Sequence, residues 1–196
     1  MERLYIKMKF YLEKPSINRQ KEVLEVIEEY YNFKSTFNGI GSLKHYLNNY
    51  EKWLKYIKKE SKQRVTKSKV PTNNYFLIRK EDNKLIGFIN IRLKLNNILK
   101  KYGGNIGYSI RPTERGNGYS KILLYLGLLE CQKYNIKEVL ISAKKENKVS
   151  CKTIEALGGV KTKTTYNDKI FNEEIKNYII DVGKSISKYK YIYNCE

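Results

Sequence analysis

Residues 107–124 read GYSIRPTERGNGYSKILL, and this stretch decides how the rest of the chain is read. It opens as an extended run and breaks at Pro112. It carries Arg111 and Arg115, then sets Gly116 and Gly118 directly before an apolar helical run. Glycine costs backbone entropy beside a helix, so bare backbone at this point needs a task. The first N–H groups of a helix have no partners within it, and they lie at the positive end of its dipole. Without Cβ atoms in the way, an anion can reach those groups closely. Arg111, Arg115 and Lys121 add positive charge around the same point. The guest this predicts is a phosphate or pyrophosphate, each charge being favoured by about 0.3–1 kcal/mol at a helix terminus. The turn is not a P-loop, because no Gly-Lys-Ser/Thr follows it, and it is not GxGxxG, because position 121 is lysine.

Outward from this turn, the hydrophobic pattern alternates between strand and helix periods. Leu4, Ile6, Met8 and Phe10 alternate with polar residues and predict a first strand. Val23, Val26, Ile27, Tyr30 and Tyr31 share one face of a first helix. Leu43, Tyr46, Leu47, Tyr50, Trp53, Leu54 and Ile57 predict a second helix. YFLIRK and KLIGFINIRLKLN, around the turn EDN, read as a hairpin, and NIGYSI as the next strand. Ile122, Leu123, Leu126 and Leu129 mark the buried face of the helix after the glycine turn. KEVLIS is a short apolar strand, residues 148–157 a short helix closed by Gly158 and Gly159, and VKTKTTY with IKNYIIDV a last hairpin. ISKYKYIY alternates and predicts an edge strand. The order β, α, α, β, β, β, α, β, α, β, β predicts an α/β (α+β) protein with one mixed sheet. Its strand–helix–strand unit implies a parallel pair. A single domain over residues 1–196 is expected. Residues 1–74 would hold the first strand and two helices, 75–182 would form the core, and 183–196 an extension.

Composition bounds the function. The 39 Lys and Arg against 20 Asp and Glu give a net charge of +19. Most of the basic residues are lysines spread along the whole chain among many Asn, Ile and Tyr, all encoded by A/T-rich codons. The charge is read as a solvated surface, with nucleic-acid binding as the minority reading. No apolar run approaches the ~18 residues of a membrane span, no signal-peptide block opens the chain, and a cytoplasmic location is expected. Cys131, Cys151 and Cys195 match no zinc spacing, so no metal is expected.

RGNGYS, residues 115–120, resembles the Q/R-x-x-G-x-G/A motif of the GNAT acetyltransferases through Arg115, Gly118 and, in place of Gly or Ala, Ser120. ENKVSCKTIEALGG, residues 146–159, is similar to that family's N-x-x-S/A segment after its fifth strand. The resemblance implies an acyl-CoA N-acyltransferase fold: a mixed sheet splayed between parallel strands four and five, flanked by helices, with acetyl-CoA in the wedge. It implies that Ser109, Ile110, Arg111, Arg115, Gly116, Asn117, Gly118, Tyr119 and Ser120 hold the cofactor on one side, and Asn147 and Ser150 on the other. The activity implied is acetyl transfer to a primary amine of a small molecule or peptide by direct attack in a ternary complex. The alternatives are a weak acyl-CoA-binding module and a basic nucleic-acid binder. Oligomeric state is open, a homodimer among the options.

Acetyl transfer needs a neutral amine, and an amine of pKa about 10.4 is almost wholly protonated at pH 7. A base must therefore accept a proton, and an acid must return one to the leaving thiolate. The family's usual Glu before this strand is Asn105 here, and its usual Tyr after Asn147 is Ile154. Asn105, Tyr108, Glu29 and Tyr166 are the catalytic candidates that remain. The loop STFNGIGS and the segment NNILKKYGG are expected to shape the acceptor pocket.

Overall fold

The computed structural model describes residues 10–168 and 173–193, with side chains except those of residues 163–168 and 173. In chain order the elements are β1 Phe10–Glu13, α1 Gln20–Asn32, α2 Tyr50–Glu60, β2 Thr72–Arg79, β3 Lys84–Arg92, α3 Asn97–Tyr102, β4 Ile106–Ile110, α4 Tyr119–Lys133, β5 Glu138–Lys144, α5 Lys148–Ala156, β6 Val160–Asp168, β7 Glu173–Asp181 and α6 Val182–Tyr193. The α/β class with its helices and sheets is the one expected. The strands form a 4-stranded sheet, β1-β2-β3-β4, and a 3-stranded sheet, β5-β7-β6. Every ladder among the described residues is antiparallel. The expected single mixed sheet is thus two antiparallel ones, and no ladder joins β4 to β5. The sheet is broken where the splay was expected.

One buried side chain holds the two sheets together at this break. Asn105, 7% exposed, donates through Nδ2 to the Arg92 carbonyl at the end of β3, at 3.0 Å. Its Oδ1 accepts from the Leu140 amide of β5, at 3.0 Å. Its backbone pairs with the same two residues: its N–H donates to the Leu140 carbonyl and its carbonyl accepts from the Arg92 amide. Next to it Gly104 has φ 66°, and a Cβ there would collide with the Leu140 carbonyl. Asn105, a catalytic candidate from the sequence, spends one Nδ2 hydrogen and one Oδ1 lone pair on the seam.

Each face of the larger sheet has its own core. On one side, α1 and α2 cover β2 and β3 through Val23, Val26, Ile27, Tyr30 and Trp53, packed on Phe76 and Phe88. The Trp53 and Phe76 rings stack with centroids 6.4 Å apart. On the other side, α4 packs against β3 and β4. It is buried nearly all round, from Leu123 to Leu128 and at Cys131, as expected of a helix without a solvent face. Gly127 lets it sit against Ile89.

Three sequence expectations change. The second helix begins at Tyr50, capped by Asn49, and residues 43–45 form a separate 3-10 turn. NILKKY, expected as a connector, is the short helix α3. ISKYKYIY belongs to helix α6, not to an edge strand. Ile186, Tyr189 and Tyr193 recur at helical spacing and pack on the α4 core, and that burial outweighs the local alternation. The first-strand pattern at Leu4, Ile6 and Met8 lies outside the described residues, as does Cys195.

The turn between β4 and α4 is anchored by a buried carboxylate, Glu114, which meets Arg79 at 2.9 Å and Lys84 at 2.5 Å. Burial alone would raise its pKa, but Lys84 and Arg79 together outweigh that and hold it below the usual carboxylate range.

Two outcomes follow from the seam and the anchor. Asn105→Ala orphans the Leu140 amide and the Arg92 carbonyl and should cost about 2 kcal/mol or more in urea unfolding. Asn105→Asp should not restore it, because a carboxylate cannot donate to Arg92. A loss under about 0.5 kcal/mol would place the seam's strength elsewhere. Glu114 has a lower pKa folded than unfolded, so its stabilisation is present above the unfolded carboxylate pKa, about 4.3, and is lost as pH falls through the folded value. Between pH 7 and pH 3 the urea midpoint of Glu114→Gln should therefore fall less than that of the unsubstituted chain.

Candidate active site

The β4–α4 turn is built as the sequence predicts an anion cradle to be. Gly118 is the N-cap of α4 at φ 76° and ψ 3°, and no side chain caps the helix. Gly116 is also left-handed, at φ 87°. A Cβ placed on either would meet nothing within 4 Å, so the ground in front of the first turn is open. The amides of Tyr119 and Ser120 belong to that first turn and have no helical carbonyl to bond.

The two arginines expected to charge this cradle are turned elsewhere. Arg111 donates through Nε and Nη2 to Glu29 on α1, at 2.8 and 2.5 Å, and Nη1 stands 3.7 Å from Glu22. Thr113 donates to the other Glu29 oxygen at 2.9 Å. Burial would raise the Glu29 pKa, but Arg111 and Thr113 prevail and lower it. A carboxylate so stabilised is a poor proton acceptor. Arg115 donates to the Ile110 carbonyl and to Ser35 Oγ, and its guanidinium lies 5.4 Å over the Tyr30 ring. Arg115 and Lys121 are both exposed beside the turn, Arg115 with its guanidinium engaged by Ser35 and Tyr30. Asn117 bonds the Glu114 carbonyl, and the Tyr119 hydroxyl accepts from Arg79. Both side chains stabilise the loop from within.

Beyond the turn, the seam between the sheets is lined with hydroxyls. Tyr108 on β4 meets Ser150 on α5 at 3.0 Å, and Ser120 on α4 meets Thr153 on α5 at 3.0 Å. Asn147 caps α5, its Oδ1 accepting from the Ser150 amide at 3.0 Å. The candidate residues of both motifs are thus brought to one seam. Burial raises the Tyr108 pKa, with Ser150 and Thr153 opposing, so the phenol keeps its proton at neutral pH. On the opposite face of β4, Ser109 Oγ donates to the Asn38 carbonyl at 2.6 Å and accepts from the Asn38 amide at 3.2 Å. Gly39, at φ 77°, lies so close that a Cβ would stand 2.6 Å from the Gly107 carbonyl. Tyr166 falls on β6, and its side chain is outside the described set.

A polar cavity of about 270 Å³ opens on the α1–α2 side of the sheet. Gly41 and Ser42 line it from the STFNGIGS loop, and Asn96, Ile98 and Leu99 from NNILKKYGG, with Glu60, Thr72, Asn90 and Arg92 between them. Asn90 Oδ1 accepts from the Gly107 amide at 3.0 Å, so one wall of the cavity is tied to β4. Burial raises the Glu60 pKa, with Tyr56, Arg92, Lys69 and Asn74 pulling it back. Sequence reasoning missed Glu60, Asn90 and Arg92. Glu60 reads as part of the polar basic connector KESKQRVTKSKVPTNN, and the other two as alternation on a strand. Only the inward polar positions of β3, facing α1 and α2, hint at a lined cavity. Among the described residues no group of 3 or more His, Cys, Asp or Glu side chains could hold a metal ion, and no helix is long and apolar enough to cross a membrane.

The profile of the Acetyltransferase (GNAT) family matches residues 40–158, more than half of the chain. No curated protein matches the sequence. Among solved structures, a chimera of spermidine N-acetyltransferase SpeG from Vibrio cholerae and hSSAT superposes with a TM-score of 0.61 at 14% identity, covering 91% of this chain and 99% of that one. RimL, a ribosomal L7/L12 alpha-N-protein acetyltransferase in complex with coenzyme A, gives 0.64 at 14% identity over 89% and 96%. The ribosomal-protein-S5-alanine acetyltransferase from Vibrio fischeri gives 0.61 at 11% over 88% and 93%. At these identities the structures speak for the fold alone. The family match and the glycine turn it contains speak for acyl transfer from acetyl-CoA, the donor that family uses. The chain belongs to the acetyltransferase (GNAT) family.

Proposed function

We propose that this chain transfers an acetyl group from acetyl-CoA to a primary amine of a small molecule or peptide, by direct attack in a ternary complex. The observation that carries the reading is the uncapped start of α4, where two left-handed glycines leave open ground beside a seam shared with α5. The residues fit the donor. Gly116 to Ser120 offer backbone amides to its pyrophosphate, with Lys121 beside them. The backbone of Tyr108 to Ile110 runs along the arm that carries the acyl group. Asn147 and Ser150 flank it from α5.

Acetyl-CoA supplies an activated acyl carbon, and the chain supplies placement and proton transfer. Backbone N–H groups of β4 polarise the acyl oxygen. Tyr108, still protonated at neutral pH, is the donor for the leaving sulfur. Arg111 and Glu29 do not touch the donor in this reading. They lock Pro112 and Thr113 against α1 and so fix where the glycine turn sits. Arg115 does the same from the Tyr30 side, contributing its backbone to the motif and its side chain to the scaffold.

Gly118→Glu should abolish acetyl-CoA binding in calorimetry while circular dichroism stays unchanged, and Gly118→Ala should weaken it less. Retained binding in the Glu variant would contradict the assignment. Tyr108→Phe should bind acetyl-CoA normally and lose about 10²-fold in kcat, read as free-thiol release with an amine acceptor. Binding with no thiol release from the unsubstituted chain, across a panel of amines, would make it an acyl-CoA-binding module instead.

A further inference from the structure

Residues 44–69 hold nine lysines and arginines against two acidic residues, Glu51 and Glu60. In sequence they read as part of a charge spread along the whole chain. The fold gathers them on one surface. Trp53 and Ile57 turn the other side of α2 into the core, so Lys52, Lys55 and Lys59 share its outer face over about 10 Å, and all three are exposed. Lys62, just past the helix, continues the row and is exposed too. None of the four forms an ion pair among the described residues. Like charges three and four residues apart repel, so the row costs stability where it stands alone.

A cavity of about 350 Å³ opens at the head of this row, with Lys44, His45, Tyr46 and Lys52 in its walls. Tyr46 is half-buried, its ring 5.4 Å from that of Tyr56, and Lys69 lies 5.7 Å over the Tyr56 ring. The helix dipole is not what draws an anion here, because Asn49 already caps α2 and Glu51 stands in its first turn. The cavity offers basic side chains around an aromatic ring that its neighbour holds in place. At the far end of the row Arg64 and Lys67 are exposed as well.

From this arrangement we infer that the outer face of α2 binds a single-stranded nucleic acid, with its phosphates along the lysine row and one base in the cavity against Tyr46. α2 and α4 lie on opposite faces of the larger sheet, so this surface is separate from the glycine turn and does not rest on the acetyl-transfer reading. Lysine meets a phosphate as a point charge, and stacking on an aromatic ring accepts any base, so the binding is sequence-tolerant and steeply salt-dependent. An acidic protein fits less well. Protein interfaces are poor in lysine and draw their strength from buried aromatic or aliphatic anchors. Among the described residues no large apolar side chain between positions 44 and 64 is exposed to serve as one. A duplex fits less well too, because its paired bases stay stacked away from the Tyr46 ring.

The test uses the full chain and labelled oligouridylate and oligothymidylate of about 12 nucleotides, read by fluorescence anisotropy over a range of salt. Both share the phosphates and the stacking face, and the tighter of the two names the sugar of the partner. Lys52→Glu, Lys55→Glu and Lys59→Glu together should weaken binding at least about tenfold and make the slope of log K against log salt shallower by about 2. Lys80→Glu, Lys137→Glu and Lys188→Glu, exposed elsewhere and equal in net charge change, should stay within about threefold. Tyr46→Leu should weaken binding about fivefold or more with the salt slope unchanged. Acetyl-CoA binding, followed by calorimetry, should be the same in all of these variants. Equal losses in the two triple variants, displacement of the oligonucleotide by polyglutamate of equal charge, no binding at low salt, or a parallel loss of acetyl-CoA binding would each overturn the inference.

Discussion

The fold turns on one amide side chain placed where two sheets part. A β-sheet that stops pairing in mid-molecule exposes backbone donors and acceptors on both sides of the gap, and these must be satisfied or left wet. Asn105 resolves the inner end of the gap by addressing β3 with its nitrogen and β5 with its oxygen. A carboxylate at this point would have an acceptor where the Arg92 carbonyl needs a donor. The residue that interrupts the family's usual pattern is therefore the one the gap requires. Glycine at 104 follows from the same constraint, since β5 passes too close for any side chain.

Holding the gap open at a fixed place gives the glycine turn its value. Its walls are α4 and α5, and its geometry is set by ion pairs that point away from it. Arg111, Arg115 and Glu114 all belong to the loop between β4 and α4, and two elements secure them: α1 holds Arg111 through Glu29 and Arg115 through the Tyr30 ring, and the β2–β3 hairpin holds Glu114. The loop is thus braced from two sides while its glycines face outward. Electrostatics here fix position, and the backbone is left to meet the ligand.

The sequence made the turn legible because glycine spacing, helix dipole and strand boundary all coincide within residues 107–124. It made the core of α1 legible through the spacing of Val23, Val26, Ile27 and Tyr30, which are buried, while Tyr31, placed on the same face, is exposed. It misled at the C-terminal end. The alternation of Ile, Tyr and Lys in ISKYKYIY has a strand period, but Ile186, Tyr189 and Tyr193 also fall on one helical face, and contact with α4 chose between them. Asn105 looked like a missing base because a lone asparagine shows nothing of which strands it joins. Arg111 and Arg115 looked like phosphate ligands because their partners, Glu29 and Ser35, lie about 80 residues away in sequence. Glu60 was invisible for the same reason: its burial depends on turns and strands that only the fold assembles.

The hydroxyl pairs across the seam, Tyr108 with Ser150 and Ser120 with Thr153, have a consequence of their own. A hydroxyl can give a hydrogen bond and receive one, so either member can swap its neighbour for an incoming amide, carbonyl or water without orphaning an atom. A salt bridge at the same edge would strand a charge when a neutral guest displaced its partner. The hydroxyl-lined edge of the crevice can therefore take in polar atoms at nearly constant bond count, while the apolar residues behind it stay packed.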